Sequence, residues 1–165
     1  MLWSSKVTST FEERVEWICD ELGMNADYLM ACMAFETGES FSASKRNPIS
    51  SATGLIQFMS STAKALGTTT AALARMKDED QLKYVYKYFL PFKGRLKTLE
   101  DHYMAILLPS AVGKPNDFNI FSKSRAQYLA NKGLDKNRDG KVTKAEAAAK
   151  VWEKYEKGKR YVKPL

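Results

Sequence analysis

From Tyr28 to Phe35 the chain runs through eight consecutive apolar residues, Tyr-Leu-Met-Ala-Cys-Met-Ala-Phe. Asn25 stands before the run as a helix N-cap and Glu36-Thr37-Gly38 ends it, so the run reads as a helix. A helix that is apolar on every face cannot lie on a surface and has to be surrounded by other elements. The flanking sequence supplies them at the 3.6-residue period. Phe11, Val15, Ile18, Cys19 and Leu22 form one stripe, opened by a Thr10-x-x-Glu13 capping box and closed by Gly23. Leu82, Val85, Tyr86 and Phe89 form a second, stopped by Pro91. Leu99, Tyr103, Ile106 and Leu107 form a third, begun by Thr98 and ended by Pro109. No long alternating run calls for a large sheet, and residues 41–57 read as a short hairpin or irregular loop. The expected class is mainly α.

The stretch from Pro109 to Asn119 is rich in Pro, Gly and polar residues and marks a boundary. It divides the chain into residues 1–112 and a C-terminal sub-lobe of residues 113–165, expected to pack together as one domain. The sub-lobe reads as a short helix near Ser124 to Lys132, a polar loop, and a basic helix from about Ala145 to Lys157. At 165 residues, with 44% hydrophobic and 27% charged, the chain is long enough to bury one substantial core. No apolar stretch reaches the ~20 residues of a membrane span, and no secretory signal is recognisable at Met1. Synthesis in the cytoplasm is therefore expected.

Two cysteines and one histidine are too few and too scattered for a zinc or redox centre. Cys19 and Cys32 both fall on apolar helix faces, where cysteine is a small core residue. Charge is uneven. Residues 1–70 carry five Lys/Arg and eight Asp/Glu, whereas residues 71–165 carry 21 and 11. The basic half favours a polyanion: nucleic acid, an acidic membrane or an acidic wall polymer. Nothing resembles a nucleic-acid recognition motif, and Lys150, Lys154, Lys157, Lys159, Arg160 and Lys163 on the last helix read first as a solvated face.

Glu36 is the candidate catalytic residue. It follows the apolar run and ends its helix, where apolar neighbours and the negative end of the helix dipole both push a carboxyl's pKa upward. A carboxyl that keeps its proton near neutral pH suits general-acid chemistry. Local pattern alone leaves open an ordinary glutamate at a helix end. Around it, Glu36-Thr37, Phe41, Asn47-Pro48, Ser51 through Met59 (Ser-Ala-Thr-Gly-Leu-Ile-Gln-Phe-Met) and Thr62-Ala63 resemble the goose-type lysozyme and soluble lytic transglycosylase family over about residues 25–110. In that family the catalytic glutamate opens a Glu-Ser-x-Phe-like motif and a Gly-Leu-Met-Gln-like motif follows; here Gln57 stands 21 residues after Glu36.

The resemblance implies a lysozyme-like fold with Glu36 as the single acid/base. Ser51, Gln57, Met59 and Tyr103 fall at the sugar-binding positions, and Asn47 and Ser50 compete with Ser51 for its place. The sequence departs from the family around Tyr103, reading Asp101-His102-Tyr103-Met104-Ala105. Implied further are a peptidoglycan glycan strand as substrate and the bond between N-acetylmuramic acid and N-acetylglucosamine as the target. A bacteriophage endolysin would act in the periplasm or cell wall after release by a holin-type partner, or ride in a virion, and a monomer is expected. A lytic transglycosylase needs one carboxylate and closes a 1,6-anhydro ring; a hydrolytic goose-type lysozyme needs a second. Glu39 is the nearest acid and reads as a solvated loop residue; the next are Asp78, Glu79 and Asp80.

Asp135 to Glu146 fits the D-x-[DN]-x-[DN]-G-x5-E pattern of an EF-hand calcium loop at every required position. Asp135, Asn137 and Asp139 would give side-chain oxygens, Lys141 its carbonyl, Thr143 a direct or water-mediated contact, and Glu146 two oxygens. Only one such loop is present, and Lys136, Arg138, Lys141 and Lys144 oppose a cation, so a structural Ca2+ of modest affinity is the expectation. Two non-enzyme readings stand beside the enzyme, a calcium-dependent adaptor and a nucleic-acid binder; the first leaves the Glu36 to Met59 segment unexplained.

Overall fold

The computed structural model describes residues 1–122 and 126–165. The described residues are mainly helical: α1 (Ser9–Leu22), α2 (Ala26–Glu36), α3 (Ser60–Ala65), α4 (Thr70–Arg75), α5 (Asp78–Phe89), α6 (Leu99–Leu107), α7 (Ala126–Asn131) and α8 (Lys144–Gly158). Two short strands, β1 (Asn119–Ser122) and β2 (Lys141–Thr143), form one antiparallel pair.

The all-apolar helix is α2, and it divides two hydrophobic clusters. Leu29, Met30, Met33 and Ala34 face the first, with Phe11, Ile18, Leu82, Val85 and Phe89 from α1 and α5. Ala31 and Cys32 face the second, with Leu99, Tyr103 and Met104 of α6 and Ala147, Ala148 and Val151 of α8. Every face of α2 thus finds an apolar neighbour. The alanines on α2 and α8 let those two helices lie close along each other.

Caps fix the entries. Asn25 accepts from Tyr28 N at 3.2 Å and Thr98 accepts from Asp101 N at 3.1 Å, each as its sequence position predicts. At α1 the cap is Thr8, which accepts from Phe11 N at 3.1 Å, so the box expected at Thr10 is corrected: Thr10 lies inside the helix. Gly23 ends α1 with φ 65°. His102 is fully buried, takes a hydrogen bond from Asn25 N on Nε2 and lies 2.6 Å from Thr98 O through Nδ1, which makes it a neutral tie between α2 and α6. Burial lowers its pKa. Cys19 and Cys32 are buried and free.

Residues 41–59 form an irregular loop with isolated bridges Arg46–Thr53 and Thr53–Phe58. Of the helix expected near Ser124 to Lys132, residues 123–125 lie outside the described residues and α7 follows them. The predicted basic helix is α8, and Trp152 and Tyr155 pack as expected, with the Trp152 indole donating to Glu100 Oε1 at 2.8 Å. No described helix is long and apolar enough to cross a membrane.

Candidate active site

Glu36 occupies the last turn of α2, half-buried, and its carboxyl makes no hydrogen bond or ion pair with another described residue. Burial alone pushes its pKa from 4.5 up to about 7. No neighbouring acid contributes to that rise, so the site holds one perturbed carboxyl rather than a coupled pair.

Two tyrosines share its surroundings. Tyr103 of α6 is buried, its ring 5.6 Å from Phe35 in an edge-on contact, and its hydroxyl has no hydrogen-bond partner among the described residues. Burial raises its pKa, and the charges of Glu36 and then Cys32 add to the rise. Tyr88 of α5 is also raised, by burial first and then by Glu36, and its hydroxyl donates to Ala105 O at 2.5 Å. Both phenols stay neutral beside Glu36; Tyr103 is able to donate or accept a hydrogen bond, whereas Tyr88, its proton given to Ala105 O, keeps only its acceptor capacity. Tyr103 was predicted; Tyr88 was not, because it sits one position before Phe89 on the edge of an apolar stripe and looks like core.

The turn after Glu36 and the 41–59 loop are held in unusual backbone. Glu39, Phe41 and Gln57 have φ of 72°, 50° and 54°, three of the five non-glycine residues with positive φ among those described. Phe41 is pinned in the core against Trp3 and Phe11, and Thr37 Oγ1 accepts from its N–H at 2.9 Å. Glu39 is not the solvated residue its position suggested. It pairs with Lys157 at 2.5 Å and Lys154 at 3.3 Å on α8, and the hydrogen bonds from Lys157 and Lys154 hold its pKa below the usual range.

The loop is stapled from beneath by Gln81, which is fully buried. Its amide nitrogen donates to Ala43 O and Leu73 O, both at 3.0 Å, and its carbonyl accepts from Leu55 N at 2.7 Å. Asp78 accepts from Ala43 N at 2.7 Å. A polar residue in line with the buried stripe of α5 was the signal for Gln81 that sequence reading passed over.

Ser51, Gln57 and Met59 lie on or just after this loop, and among the described residues no hydrogen bond joins them to Glu36. Gln57 donates twice to the loop itself, to Lys45 O at 3.0 Å and Gly54 O at 2.9 Å. Its neighbour Phe58 packs edge-on against Tyr88 at 6.4 Å, which links the loop to the Glu36 side of α5. Ser51 Oγ accepts from Ser60 N, Asn47 and Ser50 brace Ile49 N and Ala52 N, and Met59 is 45% exposed rather than core. Glu36 lines none of five surface concavities found among the described residues.

In the 135–146 loop, Asp135 and Asn137 both accept from Asp139 N at 3.2 Å, and Asn137 Nδ2 reaches Asp139 Oδ2 at 3.3 Å, so three oxygen-bearing side chains converge. Gly140, at φ 84°, turns its N–H onto Asp135 Oδ2 at 2.9 Å. Glu146 closes the loop on Lys136 N at 3.0 Å and caps α8 with Thr143. The donors are all hard oxygens, which suits a calcium ion, although no group of three or more His, Cys, Asp or Glu is drawn together for a metal among the described residues. Within this loop β2 pairs with β1. No protein-family model matches the sequence, and no curated protein matches it either.

Proposed function

We propose that the protein is a peptidoglycan lytic transglycosylase that cleaves the β-1,4 bond between N-acetylmuramic acid and N-acetylglucosamine, with Glu36 as its acid and base. The observation that carries this reading is the lone carboxyl at the end of α2, half-buried, without a hydrogen bond or ion pair to another described residue, and raised by burial to a pKa of about 7. Glu36 gives its proton to the glycosidic oxygen as the bond to the anomeric carbon breaks, and the substrate's acetamido oxygen supports that carbon. The resulting carboxylate then takes the proton of the C6 hydroxyl as its oxygen closes the 1,6-anhydro ring, so the enzyme is restored and no water is consumed.

The acid nearest in sequence favours this route over hydrolysis, because Glu39 is held by two lysines of α8. Tyr103 and Tyr88 are the neutral groups that would orient Glu36 or a sugar hydroxyl. Ser51, Gln57 and Met59 would line the glycan's path. In the C-terminal part, Asp135, Asn137, Asp139, the Lys141 carbonyl and Glu146 would hold a structural Ca2+, which supplies charge balance and rigidity rather than chemistry. Lysis of a phage's host is the setting this activity fits.

Mass spectrometry of digested purified peptidoglycan tests the reading. Muropeptides ending in 1,6-anhydromuramic acid are expected; reducing muramic ends would assign a hydrolase, and an intact polymer would remove the enzyme altogether.

A further inference from the structure

The 135–146 loop and the short helix α7 before it meet at a buried hydrogen bond that the reaction leaves unused. Tyr128 of α7 stands seven residues before Asp135, and the two are only 7% and 6% exposed. The Tyr128 ring is held in the apolar cluster that contains Ile120, Phe121, Val142 and Val151. Its hydroxyl donates to Asp135 Oδ2 at 2.7 Å. Gly140 N donates to the same oxygen at 2.9 Å, while Asp135 Oδ1 accepts a longer bond, from Asp139 N at 3.2 Å.

The two oxygens of the Asp135 carboxylate are therefore not equivalent. Oδ2 has two close donors, one on a side chain locked by packing and one from the turn at Gly140. Oδ1 shares the Asp139 N–H with Asn137 Oδ1, also 3.2 Å from that nitrogen, so it lies on the side of the loop where another oxygen ligand stands. The last torsion of an aspartate is broad, and a donor fixed by core packing narrows it. A hydrogen bond to the far oxygen of a metal-binding carboxylate orients the near one. We infer that Tyr128 is a positioning residue for the calcium loop, its hydroxyl fixing Asp135 so that Oδ1 is presented to the ion. This inference rests on the Ca2+ proposed for residues 135–146 and adds a residue outside that loop to what sets its affinity.

The test titrates calcium by calorimetry into wild type, Tyr128→Phe and Leu129→Ala, the last an exposed neighbour on the same helix. Melts in EGTA and near-UV circular dichroism of the tyrosines, with and without calcium, accompany it. Tyr128→Phe keeps the packed ring and loses only the hydroxyl. Its calcium Kd is expected to rise about tenfold while its melt in EGTA stays close to wild type. Leu129→Ala is expected to keep the wild-type Kd, and the tyrosine signal of wild type to change on adding calcium. A wild-type Kd in Tyr128→Phe, an equal loss in Leu129→Ala, or an unchanged tyrosine signal in a wild type that binds calcium overturns the role of Tyr128 and leaves the ion in place. A wild type that binds no calcium removes the ion itself, and the positioning role with it.

Discussion

Glu36 titrates as it does because of where one carboxyl is put: after six buried residues of α2, beside Cys32 one turn back, and without a cation to hold its charge. The same placement has a thermodynamic signature. Its folded pKa of about 7 lies above the ordinary 4.5, so between those values the folded protein binds more proton than the unfolded chain and stability falls as pH rises through that window. Glu36→Gln removes the ionisation. The variant is expected to match wild type near pH 4.5 and to exceed it by about 2–3 kcal/mol at pH 8, allowing for solvent at the half-buried carboxyl; urea unfolding at both pH values checks this. The residue was legible because an apolar run ending in an acid is a strong local signal. Tyr88 and Gln81 were not, because their significance comes from partners distant in sequence, Ala105 and Leu55, which periodicity does not report.

Among the elements, the 41–59 loop is packed without slack where Gly54 meets Gln81. Gly54, at φ 83°, lies against the Gln81 amide so closely that a methyl group would overlap it. Gly54→Ala meets both that overlap and the left-handed backbone, and is expected to cost roughly 2–4 kcal/mol; thermal unfolding reads the loss, and a wild-type melt would show that the loop is not stapled there. The longer helices were legible from stripes and caps. Helices α3 and α4 have six residues each, too short for a period to register, and β1 is a strand only because β2, within the 135–146 loop, pairs with it.

Over the whole molecule, the C-terminal part is built onto the helix that carries Glu36. Helix α8 packs along α2, its Lys154 and Lys157 grip Glu39, and buried Lys144 bridges Asp101 and Lys114 O. The chain ends are joined to it: the Trp3 indole donates to Lys154 O at 3.0 Å and stacks on Tyr161 at 4.9 Å. An ion in the 135–146 loop would therefore stabilise the fold at the start of α8. Calcium at tenfold excess over its Kd is expected to raise Tm by about 3–6 °C relative to EGTA, and Asp139→Ala to abolish the rise; identical melts with and without calcium would remove the ion. The docking of the C-terminal residues onto α2 was not legible, since it rests on a shared apolar cluster and on ion pairs such as Glu39–Lys157 between residues far apart in the sequence.

The central claim is that Glu36 delivers the proton that breaks the glycosidic bond. Turnover of purified peptidoglycan by Glu36→Gln, measured at the wild-type pH optimum on folded protein, tests it most directly. A fall of about 10²-fold or more is predicted for loss of the general acid; turnover within a few-fold of wild type would contradict it.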